Sequence, residues 1–433
     1  MRAVRGVAVA VALAGAAAVL TMSVDAGAAV AVPQQNPADW TPQMVAPIDT
    51  GYVRQLTPCG GNMYAVGTFT RFASPADGGK TFTRNNAMSF SGTTGKVTAF
   101  DPNTNGTVNS IALNPADCST AWIGGSFTTV GGQPATNIAA VDTATGALRT
   151  TFKRSAAAKV NALLYTHGRV LVGGNFAKIN GVARAKLASL NPTTGVPDSY
   201  LTLGLTGTYP GDPNPTRAYN FTLSHSGNKM LVTGVFTAVG GVHREQVFQL
   251  DLGATSASLN GWTSTDFYLH CADSLPFYLQ DATYSTDDAT VYTASTGYKR
   301  PADPLHTGIC DAAAAYPNQA TTVTRTWVNY TGCDSLLSVV ADAGNVYVGG
   351  HQRWLNNENG CDKAGTGAVS RPGIGGIVAS TGRASTWNPT RTRGIGADDL
   401  VLAFNGLWVA SDNKNYSNKC GGEYHPGICF LPY

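Results

Sequence analysis

The sequence predicts an all-β fold, a seven-bladed β-propeller in which an N-terminal strand completes the last blade. A glycine-rich strand motif recurs seven times along the chain, at intervals of 49 to 61 residues. Each copy lies within the same succession of short apolar runs and Gly, Asn or Pro turns, and no helical period competes with these strand signals. Four strands repeated about every 57 residues are typical of a propeller blade.

The clearest copies of the motif are WIGGSFTTVGG, LVGGNFAKING and LVTGVFTAVGG, at residues 122–132, 171–181 and 231–241. Weaker copies begin at Ala65, Val291, Tyr347 and Leu407. In the third unit the order is a strand VNALLY, a turn HG, a strand RVLVGG, a loop, a strand AKLASL, a turn NPTTG and a short aromatic strand. An isolated unit of this kind cannot bury its faces, so neighbouring units are expected to pack radially.

The two ends of the chain predict how the array closes. An aromatic residue marks six of the fourth strands: Phe100, Phe152, Tyr200, Trp262, Trp327 and Trp387. The chain stops at GICFLPY, which matches a third strand, while ADWTPQ at residues 38–43 matches STWNPT at residues 385–390. The N-terminal segment is therefore predicted to supply the fourth strand of blade seven and to cover an edge that would otherwise invite aggregation. Residues 32–433 form a single domain in this interpretation.

Residues 1–31 have the features of a secretory signal peptide. Arg2 and Arg5 precede an apolar run at residues 7–22, and small residues follow at positions 26–31. The run is short for a membrane span and leads into candidate cleavage sites. No later run approaches the roughly 18 apolar residues that cross a bilayer. The sequence therefore predicts a secreted, extracellular protein without membrane insertion.

Charge and cysteine content indicate which partners are not expected and whether disulfides form. Charged residues make up 13% of the chain and the net charge is +3, with no block of like charge, so nucleic acid is not expected as a partner. All eight cysteines follow the signal peptide, an even number that predicts four disulfides. Their positions in the repeats predict these pairs: Cys271 with Cys310, Cys333 with Cys361, Cys420 with Cys429, and Cys59 with Cys118.

The motif GGxFTxVGG, followed by a turn of the form D/NxxTG at residues 142–146 and 191–195, resembles the delta-sixty repeat family of secreted bacterial proteins. The likeness extends over the mature chain. It implies a β-propeller and export, and it implies no particular activity. Blades five to seven depart from the motif, with Tyr298, Gln352 and a position near Asn413 in place of its phenylalanine, so the individual function is expected there.

Aspartates at the start of three inner strands form the first candidate site. Superposing CADSL, CDSL and ADDL brings Asp273, Asp334 and Asp398 to one repeat position, with Asp399 beside them. The corresponding earlier strands start around three asparagines: Asn109, Asn161 and Asn220. If the inner strands line a central channel, the carboxylates meet at its mouth. They would then cap backbone N–H groups of a neighbouring blade, or bind a hard cation such as Ca²⁺ at Asp273, Asp334 and Asp398, or supply an acid and a base.

The loop after the sixth motif, GGHQRWLNNENGCDKAG, is the second candidate site. Its residues of interest are aromatic, planar or charged: His351, Arg353, Trp354, Asn356, Asn357 and Asp362. An aromatic platform surrounded by planar hydrogen-bonding groups suits a sugar. The alternative is a disulfide-stiffened loop whose Trp354 packs between blades.

The sequence leaves three functions open. The first is an extracellular binding protein that recognises a glycan, another cell-envelope component or a surface protein at blades five to seven. The second is a carbohydrate-active hydrolase or lyase that uses the Asp cluster, although the chain contains no G-x-S-x-G, H-E-x-x-H, phosphate-loop or dinucleotide motif. The third is a structural cell-surface protein. A monomer is expected, and no cofactor is evident besides the Ca²⁺ considered above.

Overall fold

The computed structural model of the chain describes residues 31–45, 51–209, 215–272, 277–298, 308–392, 396–411 and 419–433. All of these except Ala31 belong to one unit, Val32–Tyr433. Strands make up 48% of the structure, and the described residues contain no α-helix, only short 3-10 helices at Pro75–Asp77 and Thr265–Tyr268. The predicted all-β class is confirmed. In the described part of the chain, no helix has the length and apolarity needed to cross a membrane.

Seven antiparallel sheets, numbered in chain order, account for most of the described strands, and successive strands are neighbours within each sheet. Sheets 1 to 3 have three strands each: Tyr52–Cys59, Asn62–Thr68 and Ala87–Ser91; Val108–Leu113, Thr120–Gly125 and Ile138–Asp142; Val160–Thr166, Arg169–Gly174 and Leu187–Leu190. Sheets 4 and 5 have four: Arg217–Leu223, Lys229–Val235, Val247–Leu252 and Ala257–Leu259; Leu279–Tyr284, Thr290–Ser295, Ala312–Pro317 and Trp327–Tyr330. Sheets 6 and 7 have three: Leu336–Ala341, Asn345–Gly350 and Ile374–Val378; Ala397–Leu402, Gly406–Ser411 and Ile428–Pro432.

Short strands form smaller ribbons outside the main sheets. Two of these ribbons have three strands: Gln43–Met44, Arg71–Ser74 and Lys80–Thr83; Leu205–Thr206, Ala238–Val239 and Val242–His243. The others are hairpins: Thr129–Val130 with Gln133–Pro134, Lys178–Ile179 with Val182–Ala183, Trp354–Leu355 with Val369–Ser370, and Lys419–Cys420 with Glu423–Tyr424. The hairpins follow the second strand of a main sheet, where the sequence motif continues beyond its paired glycines.

Tight turns join the first two strands of the main sheets. In sheet 3 the turn is at His167 and Gly168, whose φ angles are 50° and 67°. Positive φ at both central residues is the requirement of a type I′ turn, whose twist matches that of the paired strands. The predicted HG turn is therefore confirmed.

Among the described residues, the predicted fourth strand is complete only in sheets 4 and 5. In four other sheets it is reduced to one bridge from the third strand: Phe90 with Val97, Val141 with Leu148, Leu190 with Pro197, and Ile377 with Ala384. The aromatic residue that follows is buried between sheets instead of extending the ladder, as at Phe100 and Phe152. A fully buried large apolar side chain contributes about 1.5 to 3 kcal/mol, so these rings stabilise the packing between sheets.

The first strand of each main sheet contains a β-bulge at the same place. One residue has no partner in the second strand, and it is Arg54, Asn109, Asn161, Tyr219, Gln280, Leu337 or Asp398 in sheets 1 to 7. The motif glycine allows the close backbone approach at this bulge. A Cβ on Gly67, Gly125 or Gly350 would lie 2.0 to 2.3 Å from a backbone carbonyl oxygen at the start of the first strand. The glycine accommodates this approach in five sheets, whereas Ser295 and Ser411 stand at the same position in sheets 5 and 7.

Successive main sheets pack through their first strands, and the first strand of sheet 7 also contacts that of sheet 1. The side chain after the bulge accepts a hydrogen bond from a backbone N–H of the next first strand: Gln55 from Ile111, Ser110 from Leu163, Asp281 from Val339, and Asp399 from Leu56. These bonds satisfy edge donors that no further strand pairs. Residues of all seven first strands line one cavity of about 550 Å³, the inner cavity.

Hydrophobic residues fill the space between neighbouring sheets. Tyr64 of sheet 1 and Ile111 of sheet 2 share one buried cluster with Phe100. Phe90 of sheet 1 and Trp408 of sheet 7 share another, with their ring centroids 5.5 Å apart. The core therefore consists of layers between sheets, and one of these layers joins the last sheet to the first.

The N-terminal segment lies beside the last strand of sheet 7. The N–H groups of Gln34 and Ala38 donate to the carbonyl oxygens of Pro432 and Phe430, at 2.6 and 2.9 Å. The indole of Trp387 donates to the carbonyl of Pro33. Trp40 packs on the rings of Trp408 and Phe430, with centroids 5.8 and 5.3 Å away. The segment occupies the predicted place but bonds at intervals and forms no continuous ladder.

Four disulfides are present, and their pairs are the predicted ones: Cys59–Cys118, Cys271–Cys310, Cys333–Cys361 and Cys420–Cys429. The first joins the hairpin turns of sheets 1 and 2, and the others close loops within a repeat. The described part of the chain has no free cysteine. The repeat positions thus predicted the disulfide connectivity correctly.

Candidate functional site

The predicted group of aspartates at the start of three inner strands is only partly formed as expected. Asp398 is the bulged residue of sheet 7, whereas the bulged residue of sheet 6 is Leu337, three positions after Asp334. The alignment that equated Asp334 with Asp398 was therefore wrong, because it matched similar letters without the register of the strand. Asp273 lies outside the described residues. A Ca²⁺ ion at these three aspartates stays a prediction.

Asp334 lies just before the first strand of sheet 6 and pairs with Arg353, which belongs to the loop after the second strand, here called the loop of sheet 6. Its carboxylate oxygens accept from the Arg353 Nε and Nη2 atoms at 2.8 and 2.9 Å, and from the Arg353 backbone N–H at 3.0 Å. The side chain of Asp334 is 6% exposed, so this ion pair is largely withdrawn from solvent. A carboxylate held on both oxygens by one guanidinium is already neutralised.

Asp399 has the capping role that was one of the three interpretations. Its carboxylate accepts from the Leu56 N–H at 2.8 Å, across the contact of sheet 7 with sheet 1. Asp281 does the same for the Val339 N–H at 2.9 Å and also accepts from the Asn220 side-chain amide at 2.7 Å. Burial raises the pKa of Asp399 to about 7 and that of Asp281 to about 6. Both carboxylates line the inner cavity.

A second cavity, the mouth cavity, opens next to the inner cavity and has a volume of about 320 Å³. Its lining includes six of the seven bulged residues, and the other residues come from the same level of the strands. The residues that line it are Tyr52, Arg54, Asn109, Lys159, Asn161, Tyr219, Leu337, His351, Gly396 and Asp398. The bulges are responsible for this site, because each one turns an extra side chain out of its sheet.

Positive charge predominates in the mouth cavity. The Arg54 guanidinium lies 3.9 Å from the Asp398 carboxylate and 4.5 Å from the centre of the Tyr219 ring. Burial opposes the charge on Arg54, but Tyr219 and Asp398 together raise its pKa above the ordinary value. Burial lowers the pKa of Lys159, and the nearby Arg54 and Arg217 lower it further. An anionic group at Lys159 would relieve this repulsion between cations.

Two asparagines of the mouth cavity are oriented by the neighbouring sheet. The Asn109 side-chain amide donates to the Val160 carbonyl at 2.9 Å, and the Asn161 amide donates to the Ala218 carbonyl at 2.9 Å. These bonds hold planar polar groups at equivalent positions of consecutive sheets. Two tyrosines, Tyr52 and Tyr219, add aromatic surface. The lining thus combines the groups that orient a polar ligand in a largely preformed site.

The loop of sheet 6 uses most of its polar residues internally. The Arg353 guanidinium covers the ring of Trp354 at 4.4 Å and also donates to the Asp362 carboxylate at 2.9 Å. Because Arg353 occupies one face of Trp354, that face cannot act as a sugar platform. This geometry favours the structural interpretation of Arg353, Trp354 and Asp362.

The two loop asparagines support the same interpretation. Asn356 accepts from the Asn329 amide and the Ala384 N–H. Asn357 is fully buried; its amide donates to the Lys363 carbonyl and its oxygen accepts from the Gly365 N–H. His351 is exposed and lines the mouth cavity. Among the six predicted loop residues, His351 is therefore the one that the structure brings to the cavity with Asp398.

The sequence reasoning missed six residues of the mouth cavity, four of them with polar side chains: Tyr52, Arg54, Lys159 and Tyr219. The spacing to the motif glycine is a partial signal. Arg54, Asn161 and Asp398 each lie 13 residues before the motif position at Gly67, Gly174 and Ser411. Tyr219 lies 15 residues before Gly234, so the spacing alone does not group all the bulged residues.

No protein-family model matches the chain, and no curated protein sequence matches it. Among solved structures the chain is similar to a computationally designed protein, at 9% identity and a TM-score of 0.46, over 93% of this chain and 100% of the other. It is also similar to the extracellular domain of a hybrid two-component system protein from B. thetaiotaomicron. That match has 10% identity and a TM-score of 0.46, over 90% of this chain and 39% of the other. Likeness at this level carries no argument about function.

Proposed function

We propose that this protein is a secreted seven-bladed β-propeller that binds an acidic extracellular glycan at the mouth cavity. The seven main sheets are the blades, and the contact of sheet 7 with sheet 1 closes the ring. Three features support closure: the bond from the Leu56 N–H to Asp399, the buried layer around Trp408, and the N-terminal segment beside the last strand. The signal-like N-terminus and four disulfides support secretion.

The composition of the mouth cavity is the observation that carries the glycan proposal. A sugar presents hydroxyl groups and an apolar ring face, which the asparagine amides and tyrosine rings of the cavity can meet. Arg54 and Lys159 suit a carboxylate or sulfate on the sugar, since Asp398 is the single carboxylate among the described residues of this lining. The volume of about 320 Å³ is at the small end of the range for ligand pockets.

Two variants, each of which removes the charge of one lysine, test this function. Lys159→Gln removes a charge from the mouth cavity, and Lys178→Gln removes one from the exposed side of a hairpin elsewhere. Glycans with and without uronic acid groups are titrated with each protein. We expect Lys159→Gln to weaken binding of the acidic glycans about tenfold, or about 1.4 kcal/mol, and Lys178→Gln to leave it unchanged. Equal loss in both variants, or no binding of acidic glycans by the wild type, contradicts the proposal.

A carbohydrate-active hydrolase or lyase is the second candidate, and one observation favours it. Asp281 and Asp399 have raised pKa values of about 6 and about 7, which suits an acid and a base near neutral pH. Both side chains cap backbone N–H groups, which favours binding without turnover. Release of shorter products from the same glycans, lost in Asp399→Asn, would establish the enzyme instead. A protein that neither binds nor cleaves these glycans would support the structural surface role.

A further inference from the structure

A histidine and two carboxylates meet where the N-terminal segment lies on the end of the chain. His425 is 2% exposed, while Asp39 and Glu423 are exposed. One ligand atom of each residue lies within 4.8 Å of the other two, and the His425 Nε2 atom is 3.8 Å from a Glu423 oxygen. This group is distinct from the mouth cavity, whose lining contains none of the three residues.

Backbone contacts hold the two parts of this group together. Ala38, which precedes Asp39, donates its N–H to the Phe430 carbonyl, and Met44 donates to the Pro426 carbonyl, both at 2.9 Å. Glu423 begins the second strand of the hairpin Lys419–Cys420 and Glu423–Tyr424, which the Cys420–Cys429 disulfide anchors. The hairpin turn packs closely on the N-terminal segment, since a Cβ on Gly421 would lie 2.3 Å from the Gln35 carbonyl oxygen. The backbone thus brings the carboxylates to His425 before any ligand binds.

Thr41 holds the His425 imidazole from the side opposite Glu423. The Thr41 hydroxyl is buried and lies 3.1 Å from His425 Nδ1 and 3.5 Å from the Ala38 carbonyl oxygen. In the tautomer with the proton on Nδ1, this hydroxyl accepts from Nδ1–H and donates to Ala38, and Nε2 presents its lone pair on the side of Glu423. In the other tautomer the hydroxyl donates to Nδ1 and the proton is on Nε2. Metal-ligating histidines commonly donate their other ring N–H, as in the first of these tautomers.

We propose that His425, Glu423 and Asp39 bind a divalent transition-metal ion, with Zn²⁺ the ion that their chemistry fits, and that this ion links the two ends of the chain. Imidazole nitrogen with carboxylate oxygens is a donor set of Zn²⁺ sites, whereas Ca²⁺ takes oxygen ligands. Ligands at about 2.1 Å from a tetrahedral ion are about 3.4 Å apart, so the exposed carboxylates must move by about 1 Å. The buried His425 stays in place. Solvent supplies the remaining ligand at this exposed site.

The test is a titration of the full secreted chain with Zn²⁺ at pH 7.5, by calorimetry, after treatment with a chelator. We expect one ion per chain, and an affinity that falls at least tenfold in Glu423→Gln and in Asp39→Asn, both of which change exposed side chains. Thr41→Val should lower the affinity ten- to hundredfold while all three ligands remain, because it removes the partner that orients the ring. Ca²⁺ should give no binding at this site.

His243→Gln is the matched control. His243 lies 2.7 Å from the Glu245 carboxylate, so it is another histidine beside a carboxylate, in a different repeat. This variant should bind Zn²⁺ with wild-type affinity. The proposal is overturned if the wild type binds no Zn²⁺, if Glu423→Gln and Asp39→Asn bind it as well as wild type, or if His243→Gln loses the ion instead. Melting curves add a second readout, since Zn²⁺ should raise the Tm of wild type and His243→Gln but not of Glu423→Gln.

Discussion

Raising the pH from 4.5 to 8 should remove a stabilising contribution of Asp399. Burial in the inner cavity raises the pKa of this carboxyl from 3.8 to about 7, so the folded protein holds the proton over a range in which the unfolded chain has lost it. A group with a raised pKa contributes its full stability below the unfolded pKa and loses it as the pH rises through the folded one. The loss therefore falls between about pH 4 and pH 7.

The size of this effect follows from the shift. A difference of about three pKa units at about 1.4 kcal/mol per unit sets an upper value of about 4 kcal/mol. Asp399→Asn removes the titration and retains an oxygen that can accept from the Leu56 N–H. At pH 8 the variant should therefore be more stable than wild type by about 2 to 4 kcal/mol, and at pH 4.5 the two should agree within about 1 kcal/mol.

Urea unfolding, followed by tryptophan fluorescence at pH 4.5, 6 and 8, measures this difference. The quantity of interest is the stability of the variant minus that of wild type, since carboxylates remote from Asp399 contribute equally to both. Asp117→Asn, at an exposed turn, is the control and should follow the wild-type curve at every pH. Curves for Asp399→Asn and wild type that run parallel from pH 4.5 to 8 would refute the assignment of the raised pKa to Asp399.

Three further predictions concern the ends, the loop and the disulfides. Deleting residues 33–42 should lower the stability by at least about 3 kcal/mol, because it removes the Trp40 ring from its contacts, and an unchanged Tm would contradict the role of this segment in closure. Asp334→Asn should cost about 2 to 3 kcal/mol through loss of the Arg353 pair, with and without Ca²⁺; a Tm that rises with Ca²⁺ in wild type alone would restore the calcium interpretation. Non-reducing peptide mapping should find four bridges, and a Cys271 to Cys361 bridge would contradict the pairing.

Much of the fold could be predicted from the spacing of the repeats. Strand order, hairpin turns and disulfide partners depend on contacts within one repeat or between neighbours, and these contacts leave local patterns such as the HG turn at His167. The place of the N-terminal segment was readable for the same reason, since residues 38–43 resemble residues 385–390. Fourth strands were over-predicted where an aromatic residue such as Phe100 is buried between sheets.

The mouth cavity could not be predicted from the residue types, because its lining depends on where each β-bulge lies. A bulge inserts one residue into a strand, so it decides which side chain leaves the sheet and faces the cavity. Similar letters therefore suggested an equivalence of Asp334 with Asp398 that the strand register does not have. The loop of sheet 6 was misjudged for a related reason, because its composition suits a sugar while its bonds are internal.

The sequence by itself determined the all-β class, the repeat, the disulfide pairs and the place of the N-terminal segment. These features depend on local periodicity and on equivalence between repeats, which every copy of the motif records. Tertiary structure alone decided that Arg54, Lys159, Tyr219 and Asp398 share one cavity and that Asp399 caps Leu56. These residues come from different sheets, and they meet because each bulge and the packing of one first strand on the next bring their side chains to the same level.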